Sequence, residues 1–159
     1  VKRTPVLMAR LEGGIINSYN KYKRSPFGTY YMGGDMMSGS MSYMNETIGL
    51  RGYKNGSIAG ANYDYAYSYM KASLELRYPL IFEQSTTVWV LGFAEAGNAW
   101  SDISRYNPFD LKRSAGVGVR VMMPMIGLLG LDWGYGFDRP NGYNERGGSN
   151  IHVVLGRDL

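Results

Sequence analysis

Hydrophobic and polar residues alternate with a period of two along most of the chain, the signature of strands with two unlike faces. In SYMKASLELRYPL, Met70, Ala72, Leu74, Leu76, Tyr78 and Leu80 fall on one side. Lys71, Ser73, Glu75, Arg77 and Pro79 fall on the other. GLLGLDWGYGFD sets Leu129, Leu131, Trp133, Tyr135 and Phe137 against Gly130, Asp132, Gly134, Gly136 and Asp138. LKRSAGVGVRVMM sets Ala115, Val117, Val119, Val121 and Met123 against Ser114, Gly116, Gly118, Arg120 and Met122. PVLMARLEGGIINSY sets Leu7, Ala9, Leu11 and Ile15 against Met8, Arg10, Glu12 and Gly14, and NIHVVLG groups Ile151, Val153 and Leu155. The run TTVWVLGFAEAGNAW differs, being apolar on both sides until Glu95. Strands are therefore predicted over 6–18, 67–80, 86–99, 111–123, 127–138 and 149–157.

The connections alternate in length. IFEQS (81–85) and PMI (124–126) are short, SDISRYNPFD and RPNGYNERGG are longer, and 19–66 is very long. Short turns at one end and long loops at the other predict an all-β, antiparallel up-and-down meander of about six strands with unequal rims.

Alternation alone is compatible with a soluble sheet that buries one face. Three features favour a membrane barrel. Several runs reach the ~9–11 residues that a tilted strand needs to cross hydrocarbon. Tyr78, Trp100, Trp133, Tyr135 and Phe137 gather towards strand ends, as interfacial aromatic girdles do. The opposite face mixes charge with repeated glycine, which suits a polar lumen. Transmembrane barrels begin at ~8 strands, so six imply the C-terminal part of a larger barrel. The abrupt start at VKRTPV, without a signal peptide, fits the same expectation.

Composition changes this picture little. The 159 residues form one domain by length, are 45% hydrophobic and 14% aromatic, and include 22 glycines and 14 tyrosines, a mix suited to strands and turns. The net charge of +4 is mild, and KYKRSP (21–26) is its densest basic stretch, without a nucleic-acid-binding module around it. No cysteine is present, and His152 is the single histidine, with a parity that makes it a polar wall residue. No nucleophile elbow, phosphate loop or dinucleotide fingerprint occurs. Glu12, Glu75, Glu95 and Asp132 are scattered over several strands rather than paired. No catalytic residue, metal ligand or cofactor is expected.

Four motifs in order then carry a resemblance. Leu50-Arg51-Gly52-Tyr53 in the long loop resembles the VRGF/Y motif of BamA-type outer-membrane β-barrel assembly factors, the bacterial surface antigen family. GFAEAGNAW resembles that family's strand with an acidic residue ahead of Gly-x-x-Trp. RSAGVGVRVMMPMIGLLGLDWGYGFD resembles its penultimate hairpin, and IHVVLGRDL its last strand. Two features depart from the pattern: the Met-rich stretch at 35–46, and Leu159 where the family ends in Phe or Trp.

The resemblance implies that 1–159 is the C-terminal segment of a sixteen-stranded barrel, with 19–66 a loop entering the lumen and ten strands and periplasmic repeats preceding it. It implies a bacterial outer-membrane insertase without an enzymatic step. Its partners would be outer-membrane lipids, unfolded β-barrel clients and the lipoproteins of an assembly complex. It also implies that Arg51 contacts Glu95 and Phe93. A carboxylate of inward parity needs a partner, and a guanidinium fork supplies one. The competing arrangement leaves Arg51 in solvent, with Glu95 paired to Arg120 or Arg77. Exchanging the charges of Arg51 and Glu95 is expected to restore, at least in part, the function lost in Arg51→Ala. In the last strand, Gly156, beside Ile151, Val153 and Leu155, would mark a weakly paired lateral seam; a plain strand terminator is the other reading. A polypeptide-secretion pore of the same superfamily, or the barrel anchor of a surface esterase, would share much of this pattern.

Overall fold

The computed structural model describes residues 4–18, 28–35, 45–59, 65–83 and 85–156. Its strands are β1 (Val6–Ile15), β2 (Thr29–Met32), β3 (Asn45–Ile48), β4 (Ser68–Phe82), β5 (Thr87–Trp100), β6 (Lys112–Met123), β7 (Gly127–Gly136) and β8 (Gly148–Gly156). Six of them make one antiparallel sheet in the order β1-β4-β5-β6-β7-β8. Each neighbour in this sheet is the next long strand in the chain, so the meander read from the sequence is the architecture found.

One shift interrupts the register, between Pro79 and Ile81. Proline has no N–H to give a ladder. The irregularity lets pairing resume beyond it, and β4 runs to Phe82, past the boundary at 80 drawn from the sequence.

The two faces of the sheet are inverted relative to a water-soluble domain. Leu131 is 50% exposed, Trp133 47% and Ile151 70%, whereas Asp132, between the first two, is 0% exposed. Lys71, Glu75, Glu95, Arg120 and His152 are also buried, all on the inward face. Side chains alternate strictly in a strand, so the apolar outer row and these charged residues fall on opposite faces.

The inner face is not polar throughout. Trp89, Leu91, Phe93 and Leu128 form a buried cluster, with Met122 packed against it, beside the short turns. This accounts for the run that is apolar on both sides. Trp100 also departs from expectation. The segment after β5 folds back over it, the ring of Tyr106 meets it edge-on at 4.7 Å, and only 8% of it is exposed. It is a packed residue rather than part of an exposed girdle.

The region 19–66, read as loop, contains structure of its own. β2 and β3 pair in parallel, from Thr29 opposite Asn45 to Met32 opposite Ile48. Isolated bridges join Met32 to Ala59, Gly34 to Leu50 and Tyr30 to Ala66. Strands of four residues are too short for alternation to declare them. Tyr30, Met32, Ile48, Leu50, Tyr53 and Ile58 form a core with Tyr69 of β4 and Ala99 of β5. The loop is thereby seated on the inward face near the long-loop rim. The basic stretch 21–26, residues 36–44 of the Met-rich segment, and Leu159 lie outside the described residues.

Candidate functional site: a loop arginine among three carboxylates

The motif follows β3 directly. Leu50, with 0% exposure, exchanges two backbone hydrogen bonds with Gly34, its N–H donating over 3.1 Å and its carbonyl accepting over 3.2 Å. That anchor turns the next residue towards the sheet. The backbone N–H of Arg51 donates to Glu95 Oε2 at 2.9 Å, and its Nε and Nη2 donate to Glu95 Oε1 at 3.0 and 2.7 Å. The same guanidinium donates through Nη2 to Glu75 Oε2 at 2.9 Å and through Nη1 to Asp132 Oδ2 at 3.2 Å. Its carbon lies 3.7 Å from the centre of the Phe93 ring, a cation–π contact. Burial opposes the charge of Arg51, but Glu95, then Asp132 and Glu75, more than offset it and raise its pKa.

Each carboxylate also has a cation on the wall. Lys71 Nζ stands 3.4 Å from Glu95, and Arg77 Nε donates to Glu75 at 2.6 Å. Arg120 grips Asp132 with both terminal nitrogens, at 2.5 and 2.7 Å. Three acids and three bases thus balance on the wall alone, and Arg51 is a fourth cation brought by the loop. Arg120 and Arg77, the competing partners for Glu95, are engaged elsewhere.

Missing side chains make room for this convergence. The register runs from Leu91 through Gly118 to Asp132, and from Phe93 through Gly116 to Gly134. A Cβ on Gly116 would collide with the Phe93 ring and the Trp133 carbonyl, and one on Gly118 with the Asp132 carboxylate. The glycines of β7 extend the recess. A Cβ on Gly134 would come within 2.8 Å of the Gly52 nitrogen, and one on Gly136 within 2.9 Å of the Tyr53 ring.

Gly52 occupies that recess with φ of +88°, a conformation that side-chain-bearing residues rarely adopt. Its N–H donates to His152 Nε2 at 2.9 Å, and its carbonyl accepts from Asn150 Nδ2 at 2.9 Å. Tyr53, with 0% exposure, donates its hydroxyl to the Arg113 carbonyl at 2.7 Å and accepts the Asp138 N–H at 3.3 Å. Burial, as the leading cause, pushes its phenol up to about 12.

Of the residues singled out in the sequence, Leu50, Arg51, Gly52, Tyr53, Phe93 and Glu95 meet at one place. Ile151, Val153 and Leu155 lie apart from it, exposed on the outward side of β8. Gly156 is the last rung of an unbroken register with β7, opposite Leu128. Sequence reasoning named Glu75 and Asp132 only as scattered acids and missed their contacts with Arg51, the roles of Lys71 and Asn150, and the loop contact of His152. The shared inward parity of these residues was visible; the strand register and the loop fold that bring them near one turn of the loop were not.

A strand wall with an apolar outer face, a charged inner face and an arginine-anchored loop seated within defines a membrane β-barrel protein. The chain belongs to the Omp85 superfamily, whose domain model matches residues 2–158. Proteins of this superfamily are outer-membrane proteins and act as non-enzymatic transporters or insertases. A comparison with curated proteins found no match.

Proposed function

We propose that this chain is the C-terminal six strands of a BamA-type assembly factor, which folds and inserts β-barrel clients into the outer membrane. In this reading 19–66 is the lumen-entering loop of a sixteen-stranded barrel, and clients are received at a lateral seam bordered by the last strand. Lipids, unfolded barrels and assembly-complex lipoproteins are its partners, and no covalent step is involved. An unpaired strand edge is very costly in hydrocarbon, so a seam that exchanges one set of backbone hydrogen bonds for another lowers the barrier to insertion.

The observation that carries the reading is the seating of the loop. Arg51 is tied to three carboxylates, and a loop core fills the inward face beside them. A polypeptide passing through the lumen would have to displace all of this, whereas one added at the wall would not.

The test is reconstitution of the full-length protein in liposomes with a urea-denatured client barrel. Folding is followed by the gel shift of heat-modifiable species, and ion conductance is recorded in parallel. Acceleration of client folding over empty liposomes, at low conductance, supports the insertase. High conductance with protein transfer to the vesicle interior would assign a secretion pore, and client folding no faster than in empty liposomes would refute insertion.

A further inference from the structure

We infer that Asn150 and His152 form a latch by which the docked loop holds the terminal strand, so that loop seating and the opening of β8 are coupled. The inference rests on the insertase reading for its purpose but not for its geometry. Gly52 presents one peptide N–H and one carbonyl, and two side chains of β8 take one each. His152 Nε2 accepts the N–H at 2.9 Å, and Asn150 Nδ2 donates to the carbonyl at 2.9 Å. These two residues are two apart, on one face of one strand, so the strand grips a single residue of the loop from both sides. Asn150 Nδ2 also reaches the Gly147 and Gly148 carbonyls, at 2.9 and 3.3 Å, which ties the grip to the start of β8.

The latch matters because of where β8 lies. In the insertase reading it is the strand that borders the lateral seam, and within this chain it pairs with β7. The loop gives it a further support besides that pairing, reaching it from the inward face. Arg51 fastens the same loop to β4, β5 and β7 through Glu75, Glu95 and Asp132. One rigid turn thus connects the charged wall to the terminal strand. Coupling of this kind is reciprocal: whatever unseats Arg51 loosens β8, and whatever pulls β8 away weakens loop seating.

The chemistry makes the two residues directional. His152 must present a lone pair at Nε2, so its proton sits on Nδ1. A glutamine can present an acceptor there, and a lysine cannot. Asn150 must present a donor, which aspartate lacks. They are positioning residues, and their side-chain chemistry predicts which replacements are tolerated.

The experiment uses the full-length protein in a lipid bilayer, without client. Hydrogen exchange is read at the β8 amides that bond to β7, and trypsin cleavage is read after Lys54 in the loop. His152→Lys and Asn150→Asp are each expected to raise both rates about 3- to 10-fold, the range of one lost hydrogen bond. His152→Gln is expected to stay near wild type. Arg51→Ala, far from β8 in sequence, is expected to raise β8 exchange as well. Faster loop cleavage with unchanged β8 exchange would overturn the coupling, as would equal effects of His152→Gln and His152→Lys. Neither readout requires client insertion, so a failed insertion assay leaves this result standing, and the converse holds.

Discussion

Arg51→Ala is the most informative perturbation, because the structure separates what the loop loses from what the wall retains. Four side-chain hydrogen bonds and the contact with Phe93 disappear, while the backbone N–H bond to Glu95 is available to alanine. Charge-assisted hydrogen bonds contribute ~1.5–3 kcal/mol each, so a naive sum would be very large. That sum overshoots. Removing one member of a buried ion pair costs about 3–5 kcal/mol when the other charge is orphaned, and here none is. Lys71, Arg77 and Arg120 still neutralise Glu95, Glu75 and Asp132. The expected loss of loop seating is therefore ~2–4 kcal/mol, or about 30- to 700-fold in the docked-to-free ratio. Hydrogen exchange over residues 48–53, with cleavage after Lys54, measures it in the reconstituted protein. Protection unchanged within threefold would refute the view that Arg51 seats the loop. A loss matching the naive sum would refute the balanced wall.

Exchanging the two charges, Arg51→Glu with Glu95→Arg, is now expected to fail as a rescue. The carboxylate placed at 51 would face Glu75 and Asp132, which stand 2.9 and 3.2 Å from the native guanidinium. Loop protection in the double variant no better than in Arg51→Ala checks this. Gly52→Ala combines a positive φ with a Cβ 2.9 Å from Ser114 Cβ and 3.0 Å from the Gly136 nitrogen. Strain of ~1–2 kcal/mol from the left-handed backbone and ~1–3 kcal/mol from overpacking should unseat the loop, measured by the same cleavage assay. Tyr53→Phe removes the bonds to Arg113 and Asp138 and should cost about 0.5–1.5 kcal/mol or more of loop protection. Because the folded phenol is raised to about 12, its contribution is complete below the unfolded value near 10 and is lost as pH rises through 12. An alkaline loss of loop protection in wild type that persists unchanged in Tyr53→Phe would contradict that assignment. Leu131→Arg places a charge on the outward face and should destabilise the protein in a bilayer by ~2–4 kcal/mol if that face meets mid-membrane lipid, measured by urea unfolding in liposomes.

What the sequence determined by itself was local. A period of two needs no partner strand to be legible, and it located the six long strands and told their faces apart. Leu131, Asp132 and Trp133 point where alternation sends them, because consecutive side chains in a strand have no other choice. The Arg51 motif and the inward parity of Glu95 and Phe93 were equally readable along the chain. Tertiary structure decided which inward residues come within reach of one another. By register Glu75 is level with Phe93 and Asp132 with Leu91, while Glu95 lies two residues beyond Phe93 along β5. One long guanidinium reaches all three because Gly116 and Gly118 leave a gap between their strands. The short parallel pair in the loop, and the grip of Asn150 and His152 on a residue about a hundred positions earlier, depend on how the loop folds back onto the sheet. Contacts of that separation leave no periodic trace, since no repeating spacing along the chain encodes which strand level a distant loop will reach.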